Sequence, residues 1–261
     1  MYKRFKEAFM LRKVLFLMLI LTAFYSVSYA EEPLVLFDEG HGQAFVISKE
    51  GTLHLSNFAQ VLKKEGLDVQ STKESFDFEK LSKAKAVIIS GPFKPITETE
   101  IAELKKYINT GGKLIVMLHI SQPAQKLFES FNVTITNGAI SEKENLASNK
   151  KTDFYVKTLT AHPLTLNLKE FAVYGSWGLI PSNSDVSMLA LTSTASWIDF
   201  NRNGEADDDE PKGPFGIIAT GSLGKGVFVF FADDAIFQNN FLKGQNLTLA
   251  ENLAKFIKSD N

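Results

Sequence analysis

From residue 34 to residue 131, short runs of consecutive apolar side chains alternate with segments whose apolar residues recur every three or four positions. This pattern points to a parallel sheet covered by helices, because a strand buried on both faces reads as an unbroken apolar run and a surface helix as a stripe. Leu34-Val35-Leu36-Phe37 is the first run, and it ends in the polar Asp38-Glu39-Gly40-His41-Gly42. Residues 53–64 carry Leu55, Phe58, Ala59 and Leu62 at helical spacing, with Gly66 where a C-terminal cap belongs. Residues 67–71 predict a second strand, 78–81 a short helical turn, and 86–90 a fully buried strand closed by Gly91-Pro92-Phe93. The clearest helix opens on the capping box Thr97-Glu98-Thr99-Glu100, buries Ile101, Leu104, Tyr107 and Ile108, and stops at Gly111-Gly112. Residues 113–118 and 124–131 predict one more strand and one more helix. Short connections between alternating elements imply right-handed crossovers and a doubly wound, mostly parallel α/β sheet.

Beyond residue 140 the pattern changes. Residues 141–153 are polar and lysine-rich, as in a surface loop, and His162-Pro163 predicts an ordered loop leading into a strand. Strand-like pieces follow at 171–174, 187–191, 215–220 and 227–232, the last two joined by a hairpin turn at Leu223-Gly224-Lys225-Gly226. An amphipathic helix over 247–257 closes the chain, so the C-terminal half is predicted to be β-rich.

The N-terminus reads as a targeting signal. Lys3, Arg4, Lys6, Arg12 and Lys13 precede an apolar stretch at 14–25, and Ser28-Tyr29-Ala30 has the small-x-small form of a cleavage site. Residues 1–30 are therefore expected to be a signal peptide cut after Ala30, leaving residues 31–261 as one exported domain, periplasmic or secreted, with no membrane span after cleavage. Without the signal, 23 Lys and Arg face 29 Asp and Glu, a charge of −6 that argues against nucleic acid as a partner. The absence of cysteine excludes disulfides and every thiol nucleophile.

With these elements placed, the chain resembles the class I glutamine-amidotransferase-like superfamily. More narrowly, it is similar to the non-enzymatic branch that includes soluble domains of gliding-motility-type ABC-transporter auxiliary proteins and of intraflagellar-transport-type proteins. The residues that carry the resemblance are Phe37 to Phe45 after the first strand, Ile89 to Phe93 after the third, and the helix from Thr97 to its double glycine. His162-Pro163-Leu164-Thr165, Phe231-Ala232-Asp233-Asp234, Asn239 and the final helix complete it. The resemblance implies a flavodoxin-like, amidotransferase-like fold. Active members place a cysteine after the strand matching residues 113–118, where this chain reads Leu118-His119-Ile120-Ser121. The resemblance therefore implies a non-catalytic domain that binds an envelope protein or a small ligand.

Open α/β sheets bind ligands beyond the carboxyl ends of their strands. Asp38, Glu39, His41, Gln43, Ser90, Gly91 and Asp233 fall at such ends and form the candidate ligand-binding set, with Asp233 near Asp38 if their strands are neighbours. The alternative is a hydrolase using Asp38, His41 and Asp233, or Ser121 with His119 as its base.

One further motif names an ion. Residues 199–210 fit the twelve-residue calcium-loop pattern, with Asp199, Asn201, Asn203, the Glu205 carbonyl, Asp207 and Glu210 as ligands and Gly204 at the turn. Calcium takes six to eight hard oxygens, which is why short oxygen side chains alternate and a bidentate carboxylate closes the loop. No helix is predicted on either side, and the eighth residue is Ala206 rather than a large aliphatic one. The expected role of this one calcium ion is structural.

Overall fold

The computed structural model describes residues 32–260 except 202. The expected signal peptide, its cleavage site and the domain boundary after Ala30 lie outside the described residues. From Pro33 onward the chain clusters as one compact unit.

The first half runs β1 (Leu34–Asp38), α1 (Ser56–Lys64), β2 (Asp68–Thr72), α2 (Phe78–Leu81), β3 (Ala86–Ser90), α3 (Glu98–Asn109), β4 (Lys113–Met117) and α4 (Gln125–Glu129). The second half holds β5 (Val133–Ile135), β6 (Ile140–Ser141), β7 (Asp153–Val156), β8 (Thr158–Leu159), β9 (Phe171–Tyr174), β10 (Leu179–Pro181), β11 (Val186–Leu191) and β12 (Trp197–Ile198). The chain ends with β13 (Gly216–Leu223), β14 (Gly226–Phe231) and α5 (Gln245–Lys258).

Five strands form a parallel core in the order β2-β1-β3-β4-β14. Every residue of β3 and β4 is buried, as their unbroken apolar runs require. The chain leaves β1 toward one edge and resumes on its other side at β3, so the strand order reverses between them. Open α/β sheets place their ligands beyond the carboxyl ends of the strands at a switch point of this kind. The hairpin turn between β13 and β14 falls where the sequence predicts it, with Gly224 at φ +61. From β13 the sheet continues antiparallel through β10 to β5 and through β11 to β8. The α/β class and the β-rich second half are thus both present.

The capping box at Thr97 forms as predicted, and the helix it starts buries Ile101, Leu104, Tyr107 and Ile108. Lys113 is also buried, and its ammonium donates to the carbonyls of Phe256 and Ser259 at the end of α5. A cation there satisfies carbonyls that have no helical partner, while burial pulls the Lys113 pKa down to about 8.

Several local expectations change. The first helix begins at Ser56 rather than at residue 53, and the one predicted over 124–131 splits into a 3-10 turn (Gln122–Ala124) and α4. His162 caps a 3-10 turn (Pro163–Thr165) by accepting from Leu164 N at 3.2 Å, and no strand starts there. The polar segment after residue 140 is not wholly surface, because Glu142 is fully buried and accepts from Lys143 N, Glu144 N and Ser193 Oγ. β14 lies beside β4 rather than β1, so Asp233 and Asp38 end on strands separated by β3 and β4.

Candidate functional site

Asp38, the last residue of β1, gathers the loop that follows it. Its carboxylate accepts from Gly40 N at 2.9 Å, pairs with His41 Nδ1 at 2.8 Å, and accepts from Gln43 Nε2. The other ring nitrogen of His41 meets Glu100 Oε1 at 3.2 Å. Glu100 is the third residue of α3, and its second oxygen accepts from the Thr97 N–H and hydroxyl, so the capping box also holds this carboxylate toward His41. Burial opposes a charged His41 ring, but Asp38 and Glu100 together outweigh it and raise its pKa. With both nitrogens engaged and the residue 7 % exposed, His41 fastens the loop between two carboxylates. Its carbonyl accepts from Phe93 N and Lys94 N, which ties the same loop to the end of β3. Glu39 turns elsewhere and accepts from Ile47 N at 3.3 Å.

A second cluster forms where β4 and β14 end side by side. His119 Nδ1 lies 3.1 Å from Asp234 Oδ1, and the Asp234 N–H donates to Leu118 O. The imidazole side chain is 36 % exposed while the carboxylate behind it is 1 % exposed. Phe45 and Phe93 flank the ring with centroids 5.0 and 5.5 Å away. Asp233 is buried as well and accepts from Tyr174 N at 2.6 Å and Ala235 N at 2.9 Å. Burial, reinforced by the neighbouring Asp234, pushes the Asp233 pKa up to about 7. Burial also raises that of Asp234, against the pull of His119, and the Asp234 hydrogen bond raises that of His119.

The two clusters meet at the end of β3. Gly91 adopts φ +55, and a Cβ there would stand 2.7 Å from Asp234 Oδ2 and 3.0 Å from His119 Cβ. Glycine is what lets β3 end against the His119–Asp234 pair. Ser90 Oγ, Gln43 Oε1 and Asp234 Oδ2 are buried without a hydrogen-bond partner. A buried polar atom left unpaired costs about 1–3 kcal/mol, so such atoms mark places where a water or ligand group fits.

Of the predicted set, Asp38, His41 and Gln43 converge, Ser90 and Gly91 line the same edge, and Asp233 lies behind His119. The sequence pattern points from His119 to Ser121, shows Glu100 only as a cap, and gives no site role to Phe45, Phe93 or Trp177. The Trp177 indole donates to His119 O at 3.1 Å and borders a cavity of about 530 Å³.

The acidic loop adopts the turn its pattern calls for. Gly204 has φ +77 and donates to Asp199 Oδ2 at 2.9 Å, while Glu210, 6 % exposed, closes the loop by accepting from Phe200 N and Asp207 N. Asp199 Oδ1 is buried without a partner. Among the described residues no group of three or more His, Asp or Glu side chains is gathered as a metal site. The loop's potential donor set is mixed, drawing also on asparagine and carbonyl oxygens.

The titrating groups predict a pH dependence. Asp233, raised from 3.8 to about 7, contributes stability below its unfolded value and loses it as pH rises through about 7. His41 and His119, both raised above 6.5, lose theirs as pH rises past 6.5 through their folded values. Glu100, lowered from 4.5, acts oppositely and weakens the fold only in acid. Thermal melts between pH 6 and pH 8 should therefore fall with pH, and Asp233→Asn should flatten the slope; a melting temperature that rises over this interval contradicts the assignment.

The sequence model for a domain of unknown function, DUF4350, matches residues 55–254. The chain belongs to the DUF4350 family. Human intraflagellar transport protein 52 homolog is 33 % identical over 78 residues, covering 28 % of this DUF4350 chain and 18 % of the human protein; the mouse homolog is 32 % identical over the same length. The chain thus spans less than a fifth of the length of the curated relatives it matches. Among solved structures, the mmIFT52 N-terminal domain superposes with TM-score 0.70 at 18 % identity, covering 87 % of this chain and 98 % of that one. A ThuA-like protein of Bacteroides uniformis gives 0.53 at 18 % identity, covering 89 % and 95 %. Cytoplasmic protein STM1381 of Salmonella typhimurium LT2 gives 0.57 at 15 % identity, covering 87 % and 100 %. At these identities the likeness establishes a shared fold, and the expected kinship with intraflagellar-transport-type domains is met at that level.

Proposed function

We propose that this DUF4350 chain is an exported, non-catalytic domain of the amidotransferase-like kind that binds a partner protein or small ligand at the carboxyl edge of its sheet. The observation that carries the proposal is the half-exposed His119, held from behind by Asp234 and bracketed by Phe45 and the 41 % exposed Phe93. An aromatic-flanked polar group above a rigid parallel core is a suitable contact surface, because its shape is fixed before binding. The basic and apolar N-terminal segment supports export, and no helix among the described residues is long and apolar enough to cross a membrane.

The hydrolase alternative uses Asp38, His41 and Asp233, whose strands are held apart by β3 and β4, or Ser121 with His119 as its base. For the second set, the His119 ring pairs with Asp234, and among the described residues no hydroxyl hydrogen-bonds to that ring. One calcium ion in the 199–210 loop belongs to this proposal as a clamp on the insertion between β12 and β13, supported by the unpartnered Asp199 Oδ1.

A photo-crosslinking side chain placed at Phe93 in the exported protein tests the binding edge. A discrete adduct is expected at Phe93 and none at Leu166 or Ile180, which are at least as exposed and do not flank the His119 ring. Equal labelling at all three positions, or none at Phe93, overturns the assignment.

A further inference from the structure

The cavity beside Trp177 has a chemistry of its own. It lies between the turn that follows β4, which supplies Ser121, Gln122 and Gln125, and the segment after β5, which supplies Thr136 and Asn137. No lining side chain is charged, so a charged ligand entering it would lose hydration without gaining a counter-ion. Among the described residues, the side chains of Ser121, Gln122 and Asn137 make no hydrogen bond to the protein. They offer amide donors, amide acceptors and a hydroxyl, which complement ligand hydroxyls that each carry one donor and two acceptors.

The walls are fixed. Trp177 is held by its indole N–H on His119 O at 3.1 Å and by its backbone N–H on Ala232 O at 3.0 Å. With its N–H already used, the indole has its ring to offer, and an aromatic surface suits the C–H face of a saturated ring. Thr136 donates to Gly138 O at 2.9 Å and accepts from Gly178 N at 2.8 Å, so its hydroxyl braces the wall. The volume of about 530 Å³ falls within the range of small-molecule sites.

We infer that this cavity binds a neutral carbohydrate ring. Amides and a hydroxyl without charge, set against a fixed indole, match a ligand with hydroxyls at its rim and carbon on its face. The cavity lies on the same carboxyl edge, so the inference rests on the proposed reading of that edge as a binding surface and names a ligand class for one part of it, using neither the His119 ring nor Phe93.

Fluorescence titration of the full chain tests it. The protein has two tryptophans and Trp197 is fully buried, so Trp177 is the reporter open to a ligand. The probes are glucose, galactose, mannose and N-acetylglucosamine, each with its methyl glycoside. A saturable change with at least one of them is expected at roughly millimolar concentration, the strength of a small polar ligand. Binding of the methyl glycoside identifies a glycan end, and binding of the free sugar alone identifies a monosaccharide. Gln122→Ala and Asn137→Ala, both at exposed positions, should each weaken binding by about tenfold while leaving the melting temperature in place. The inference is overturned by no saturable change with any sugar, by equal binding of glucuronate or a neutral tripeptide, or by variants that bind as the parent does. Because Phe93 crosslinking takes no part in the titration, the partner edge and the carbohydrate cavity can fail separately.

Discussion

Asp38→Ala is expected to cost about 3–5 kcal/mol of stability, the range for removing one partner of a buried, hydrogen-bonded charge pair. For a domain of this size that corresponds to a fall in melting temperature of roughly 6–20 °C, at about 2–4 °C per kcal/mol. Asp38 is 2 % exposed, and its two oxygens receive Gly40 N–H, His41 Nδ1 and the Gln43 amide. Its loss leaves the part-buried Gly40 and Gln43 donors without their acceptor and gives His41 a single carboxylate, Glu100, in place of two. The effect should spread along the loop, because Phe45 packs on His119 only while residues 39–46 hold their course. Hydrogen exchange is therefore expected to rise at Phe93 N–H and Lys94 N–H, which donate to His41 O. Asp38→Asn keeps an acceptor oxygen without the charge and should fall between parent and alanine. An alanine variant that melts within about 2 °C of the parent shows that the fastening does not hold the edge.

The part of this architecture legible in the sequence is the part written in contiguous residues. β3 and β4 are apolar at nearly every position and the helix after Thr97 carries a capping box, so each could be placed from its own letters. The short strands β6, β8 and β12 are two residues long and carry no period that could be recognised. The candidate site was legible only by position. The carboxyl ends of strands were known to be the right place, yet the pairs that form there depend on strand order. His119 and Asp234 are 115 residues apart and meet only because β14 inserts next to β4. The Glu100 to His41 contact likewise requires α3 to start against the loop after β1, which no local signal near either residue announces. Trp177, one aromatic residue in a β-rich stretch, becomes informative only once its indole is found fixed beside a cavity.

Calcium should raise the melting temperature by about 5–11 °C at 10 mM. Extracellular calcium modules bind at about 10⁻⁴ to 10⁻³ M, and at a hundredfold excess over the tighter value linkage supplies about 2.7 kcal/mol. The loop is arranged in a way that a cation would complete. Asn201 Nδ2 and Asn203 Nδ2 both point at Asp207 Oδ2, 2.7 and 2.8 Å away, and Lys151 places its ammonium on the Gly204 carbonyl. Positive or donor groups thus stand against loop oxygens, and turning the two amides over would present their oxygens to an ion instead. Asp199 carries the decisive test, because Oδ2 sets the turn through Gly204 N while Oδ1 is buried with no partner. Asp199→Ala removes both, so the calcium response should vanish in that variant, whereas Asp208→Ala, outside the ligand set, should retain it. Magnesium, which dehydrates reluctantly and demands six close ligands, should give a much smaller rise. Equal rises with the two ions would point to general charge screening of the acidic loop, and a rise that survives Asp199→Ala would put the ion elsewhere. Either result removes calcium from residues 199–210.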